Sequence, residues 1–145
     1  MKLVKVKSVA ASSVWEDGFE PENILKDAKP GVWGLKSEWA SRGTAGEWVK
    51  LCFNKRHKIV KIVLRDRFYY DGKTIDLNNN FNEGTIEFLG SKAKPIKFDN
   101  LPQDGNPLEI PISPAVTCSG IVITAGEKAC GDGVGLSRVK VFSNA

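Results

Sequence analysis

Little in this sequence is equipped for covalent or metal chemistry. Its 145 residues hold one histidine, His57, and three cysteines, Cys52, Cys118 and Cys130. No two cysteines have the Cys-x-x-Cys spacing of a structural zinc site. An odd count leaves at least one thiol unpaired in a monomer. Cys52 alternates with Lys50 along a strand and reads as a small packing residue. Cys118 and Cys130 flank a strand and its loop, and a strand of that length spans about 20 Å. A bridge between them would need the loop to fold far back, so free thiols are expected. No catalytic serine or cysteine is paired with the single histidine, which sits among Lys and Arg residues. No glycine-rich phosphate loop follows a strand and opens a helix. Catalysis is not expected.

Long apolar runs are also missing. None approaches the ~20 residues of a membrane-spanning helix. The start, Met1-Lys2-Leu3-Val4-Lys5-Val6-Lys7, alternates apolar residues with lysine. A secretory signal needs an unbroken apolar block, so this segment reads as a first strand. The expectation is a cytoplasmic protein or a domain excised from a secreted one. The net charge of +4 is modest, and the lysines alternate with apolar residues as solvated strand faces do. A nucleic-acid site would cluster them with exposed aromatics, so no nucleic-acid partner is expected.

Helix signals are nearly absent. Only residues 20–27, with Pro21 and two nearby glutamates, suit a single helical turn. Elsewhere the period is two. Strands are expected at 48–53, 59–64, 84–89, 96–98, 108–112, 120–124 and 136–142, with residues 54–58 as a polar connection. Turn chemistry separates them at Gly90-Ser91, Asp104-Gly105-Asn106-Pro107 and Cys130-Gly131-Asp132-Gly133. Many short strands without helical crossovers mean an all-β antiparallel sandwich or barrel, and 145 residues fit one domain, 1–145. Two long loops, 15–46 and 67–83, are the expected carriers of function.

The order Trp33, Ser37-Glu38-Trp39-Ala40-Ser41, Gly46-Glu47-Trp48-Val49-Lys50-Leu51, Ile62-Val63-Leu64-Arg65-Asp66-Arg67 resembles the coagulation factor 5/8 C-terminal (discoidin) superfamily. The ending, Gly120-Ile121-Val122-Ile123-Thr124 and Gly133 to Phe142, is similar to the last two strands of that fold. The resemblance is closest to a bacterial and fungal discoidin-like branch, and extends to family 32 carbohydrate-binding modules. It implies a galactose-binding-like β-sandwich jelly roll of about eight strands. It also implies a non-catalytic lectin or carbohydrate-binding module whose partner is a glycan, galactose-like, held by loops at one end. A protein-interaction or structural appendage module is the alternative, and an anionic-lipid surface binder the next. Several copies would add avidity, so a homo-oligomer fits the lectin reading.

In an antiparallel sandwich successive connections alternate between ends. The loop after Arg67, the segment ahead of Trp48 and residues 125–135 should therefore share one end. That gathers Arg65, Asp66, Arg67, Tyr69, Tyr70 and Asp71 with Trp33, Glu38, Trp39 and Asp132. Their chemistry suits a pyranose. Arginine offers a rigid fork of donors, carboxylates accept hydroxyl hydrogens, and aromatics offer a flat platform. The resemblance gives Arg67 the role of an arginine that contacts ring hydroxyls. For Arg65, Asp66 and Arg67 a structural salt-bridge network is the competing reading, and for Trp33, Trp39 and Trp48 it is the core. Many members of the superfamily also hold a structural calcium, using an Asp-Gly turn and a glutamate early in the last strand. Here Asp27 precedes Ala28, and Arg138 stands at the glutamate position. No calcium is therefore expected, with Arg138 supplying the positive charge beside Asp27 or another acid.

Overall fold

The computed structural model describes residues 1–26, 37–67, 69–70, 75–76 and 79–144. Its strands are β1 (Lys2–Leu3), β2 (Val6–Ala11), β3 (Trp39–Ala40), β4 (Trp48–Asp66), β5 (Tyr69–Tyr70), β6 (Ile75–Asp76), β7 (Gly84–Leu89), β8 (Ile96–Phe98), β9 (Leu108–Ala125) and β10 (Gly135–Ser143). The one helical element among the described residues is a 3-10 turn at Pro21–Leu25. All strand pairs are antiparallel.

The expected break at residues 54–58 is corrected by the structure. β4 and β9 pair as one ribbon from Trp48↔Thr124 to Leu64↔Leu108. Between Cys52↔Gly120 and His57↔Cys118, five steps along β4 match only two along β9. The surplus residues bulge, and a bulge bends its strand. A straight β4 of 19 residues would reach about 60 Å, yet its two ends meet. Ala125 N donates to Glu47 O at 2.8 Å, just ahead of Trp48. Asp66, at the other end, accepts from Phe81 N and Asn82 N, close to the Gly84↔Ala125 pair. The ribbon is therefore folded over on itself at residues 53–58.

This folding makes the two layers. The first half of β4 pairs with β2 and with the second half of β9, which continues to β7 and β8. The second half of β4 pairs with β10 and the first half of β9, and β1 and β3 add to β10. The result is a two-layered antiparallel β-sandwich of the jelly-roll kind. Val49, Leu51, Ile86, Ile121 and Ile123 from the first layer share one core cluster with Ile62, Leu64, Leu136, Val139 and Val141 from the second. Trp39, Phe81 and Phe98 close one end, with ring centroids 6.4 and 6.1 Å apart.

Two smaller expectations also change, for Trp48 and His57, while that of free thiols holds. Val49, Leu51 and Phe53 take the core face of β4, so Trp48 lies half-buried on the outer face with Lys50 and Cys52. His57 is a strand residue opposite Cys118, with Nε2 2.9 Å from Asn54 Oδ1. All three cysteines are free: Cys118 is buried, Cys52 half-buried and Cys130 exposed. Burial pushes the Cys118 thiol above its ordinary pKa.

Candidate functional site

Both ends of β4, the 79–83 segment and the 125–135 loop converge on the end of the sandwich away from the bend. A pocket of about 290 Å³ opens there, lined by Trp15, Glu16, Phe19, Arg67, Asn79, Asp132 and Gly133. Two loops and one strand end build it.

The first loop follows β2. Ser12 N donates to Trp48 O, and Trp15 N donates to Ala40 O at 2.7 Å. The return leg is pinned by Ala40 N donating to Phe19 O at 3.2 Å. Gly18 supplies the turn with a φ of +102°, a left-handed conformation that favours glycine. Arg42 donates from Nε to Val14 O at 2.9 Å, and Trp39 from Nε1 to Ser13 O at 2.9 Å. These bonds hold Trp15 in place with 43% of its surface exposed, while Phe19 is buried beneath it.

The second loop is tied to Asn79. Its Oδ1 accepts from Asp132 N at 2.8 Å and Gly133 N at 3.3 Å. Cys130 N donates to Asn80 O at 3.0 Å, and Asn80 Nδ2 donates to Arg67 O at 3.1 Å. Gly133 is confined: a Cβ there would overlap the Ser41 carbonyl oxygen and come within 2.9 Å of the Trp15 ring. Asp132 is exposed, and its carboxylate has no hydrogen-bond donor or ion pair among the described residues.

Arg67 joins the two loops. Its Nε donates to Glu38 Oε1 at 2.8 Å, Nη1 donates to Gly133 O, and its Cζ lies 5.6 Å from the Phe19 ring centroid. Nη2 donates to nothing among the described residues, although the side chain lines the pocket. The guanidinium is thus locked on one side and available on the other.

Of the residues the sequence singled out, the structure brings Arg67 and Asp132 into this pocket. Three others lie behind it and present no surface. Trp39 is 0% exposed, Asp66 1% and Glu38 2%. Trp39 is core, Asp66 is a loop anchor, and Glu38 holds Arg67 from below. Asp66 accepts from the backbone N–H groups of Arg67, Phe81 and Asn82 at 2.8 to 3.0 Å. Burial still outweighs those donors and pushes its carboxyl up to about 7. Burial likewise raises Glu38, against the pull of the Arg67 guanidinium. Arg65 donates from Nε to Ser137 Oγ at 2.9 Å, across to β10. Tyr69 and Tyr70 form β5, paired with Asp76 and Ile75 of β6. Trp33 and Asp71 lie outside the described residues, as do Asp27 and Ala28 of the calcium argument. Arg138 sits in β10 opposite Arg65.

Trp15, Glu16, Phe19 and Asn79 line the pocket without having been singled out. Trp15 had a usable signal: with Val14 it forms a short apolar pair between Ser12-Ser13 and Glu16-Asp17-Gly18, which has no core periodicity to serve.

Solved structures place this fold in a class. The family 32 carbohydrate-binding module of AlyQ, in complex with 4,5-unsaturated mannuronic acid, superposes with a TM-score of 0.68 at 17% identity, covering 98% of each chain. The lectin binding domain of lectinolysin (a His 62 mutant complexed with Lewis b) gives 0.72 at 18%, over 98% of this chain and 95% of that one. A Streptococcus pneumoniae fucose binding module gives 0.70 at 16%, over the whole of both chains. The fold is therefore that of the discoidin-like carbohydrate-binding modules and lectin domains. The chain itself belongs to the family described as Domain of unknown function (DUF7402), whose model matches residues 3–142. No curated protein sequence matches it.

Proposed function

We propose that this chain is a non-catalytic glycan-binding module that receives a saccharide in the pocket between Trp15, Arg67 and Asp132. One observation carries the reading. An exposed indole shares a small pocket with a half-locked guanidinium and an unengaged carboxylate. That set matches a pyranose: a ring face for Trp15, a donor fork for vicinal hydroxyls from Arg67, and an acceptor in Asp132. The Asn79 amide nitrogen adds a donor while its oxygen holds the loop. The sugar complexes of the AlyQ module and the lectinolysin domain support the class of ligand.

The module binds without turning over its ligand. The single histidine lies at the bend, away from the pocket, and among the described residues no nucleophile with an adjacent base lines it. The reading assigns no metal ion, since Arg138 stands where the resemblance puts a calcium ligand.

A glycan array with wild type, Trp15→Ala and Asp132→Ala tests this. Binding to a defined glycan set that both substitutions abolish supports it. Absence of binding to any glycan, or binding indifferent to both, overturns it, and hydrolysis of a bound saccharide would overturn the non-catalytic part.

A further inference from the structure

The opposite end of the sandwich carries a second concave feature. At the bend of β4, a pocket of about 410 Å³ is lined by Lys2, Leu3, Lys5, Asn54, Lys55, His57, Ser143 and Asn144. The folding of the ribbon creates it. β1 pairs with the end of β10 through Lys2↔Ser143 and Leu3↔Phe142. Asn54 N donates to Lys5 O at 3.3 Å, and Asn144 N to Lys58 O at 3.2 Å. Three segments far apart in sequence thus meet at one hollow, and two of them bring lysines to it.

No Asp or Glu among the described residues lines this pocket. Lys2, Lys5 and Lys55 take part in none of the ion pairs among the described residues. Like charges converging without counter-charge cost free energy unless an anion joins them. His57 reports the same field. After burial, Lys55 and Lys2 are what hold its pKa below the ordinary value. The remaining lining is suited to hydrogen-bonding oxygens: the Ser143 hydroxyl, the Asn54 and Asn144 amides, and the imidazole. Leu3 is 54% exposed.

We propose that this basic pocket binds a phosphate or sulfate group, with Lys2, Lys5 and Lys55 as the charge donors and His57 as a hydrogen-bonding wall. It is independent of the saccharide pocket, which lies at the other end of the sandwich. The group has two possible sources, a free or sugar-borne oxyanion and a phospholipid headgroup, and the second would use Leu3 as an apolar contact.

The test follows the His57 ring resonances by NMR while inorganic phosphate, glucose 6-phosphate or phosphatidylglycerol vesicles are added. Glucose, which is uncharged, and phosphatidylcholine vesicles, which are zwitterionic with no net charge, serve as controls. A bound anion raises the His57 pKa, because it offsets the two lysines. Lys2→Gln and Lys55→Gln each weaken binding by about tenfold, the scale of one charge-assisted hydrogen bond, whereas Lys128→Gln, at the other end, changes nothing. The affinity falls as salt is added. Saturation by inorganic phosphate or glucose 6-phosphate supports the site with a soluble source. Saturation by phosphatidylglycerol vesicles alone supports it with a membrane source. If His57 responds to none of the three, or responds equally in the Lys2→Gln/Lys55→Gln double variant, the proposal is overturned. The lysines are exposed, so these variants are expected to fold. The readout does not involve Trp15, so a failed glycan array leaves this result unaffected.

Discussion

Replacing Arg67 by alanine should unfold the protein more readily than it should teach anything about its ligand. Arg67 is the charge partner of Glu38, which is 2% exposed and whose Oε2 has no hydrogen bond among the described residues. Removing one member of a buried ion pair strands the other, at a typical cost of about 3–5 kcal/mol. The Arg65 cation also stabilises the Glu38 carboxylate, which argues for the lower end, about 3 kcal/mol. Arg67→Ala also frees the Gly133 carbonyl and the Phe19 ring face. At about 2–4 °C per kcal/mol for a domain of this size, the melting temperature should fall by about 6–12 °C. Adding Glu38→Gln removes the stranded charge and should recover a large part of that loss. Scanning calorimetry of wild type, the two single variants and the double variant gives the coupling directly. Acid should help the single variant. Without Arg67 the Glu38 carboxyl binds its proton more tightly, so the gap to wild type should narrow as pH falls. An Arg67→Ala protein as stable as wild type, or one that Glu38→Gln fails to rescue, would refute the reasoning. The practical consequence is that Trp15 and Asp132, not Arg67, are the informative positions for ligand binding.

Other outcomes follow from the same geometry. The Asp66 carboxyl is raised from 3.8 to about 7, so the native state holds an extra proton between those values. That contribution is fully present below about pH 4 and is lost as pH rises through about 7, up to about 4 kcal/mol in all. Thermal melts should therefore show wild type less stable at pH 8 than at pH 5.5, and Asp66→Asn should flatten that slope; a melting temperature rising over this interval would contradict it. Gly135→Ala drives a Cβ into the Trp39 carbonyl oxygen and within 3.0 Å of Ala40 Cα, prising β3 from β10. Denaturant unfolding should show a loss of roughly 2–3 kcal/mol or more, the range of overpacked sites. Chelation with EDTA, or added calcium, should leave the melting temperature unchanged if Arg138 stands, as the family resemblance implies, in place of a calcium ligand; a calcium-dependent shift of several degrees would restore the ion. In native protein a thiol reagent should modify Cys130 first and Cys118 only on unfolding, as their exposures dictate.

The sequence was legible where local pattern and burial coincide. β7 and β8 fall where alternation and turn residues place them, because each has one face on the core and solvent at both ends. The bend of β4 was not legible. Residues 54–58 are polar because the strand leaves the core there, so the period-two signal vanishes although backbone pairing continues. The site was only half legible. Topology alone placed Arg67 and the 125–135 loop at one end, since strand direction is fixed by alternation. It could not tell a rim carboxylate from an anchor. Asp66 and Glu38 sit where the chain leaves the sheet, and whether such a group faces solvent or neighbouring backbone N–H groups depends on loops distant in sequence. Trp15 escaped for the same reason: its position is set by Ala40 and Arg42, more than twenty residues on.

The most direct test of the central claim is calorimetric titration of the glycan that scores highest on an array, using wild type, Trp15→Ala and Lys128→Gln. Stacking of a sugar face on Trp15 predicts that Trp15→Ala weakens binding by about tenfold or more with its melting temperature nearly unchanged, while Lys128→Gln binds as wild type does. Equal affinity in wild type and Trp15→Ala would place the ligand elsewhere and contradict the account.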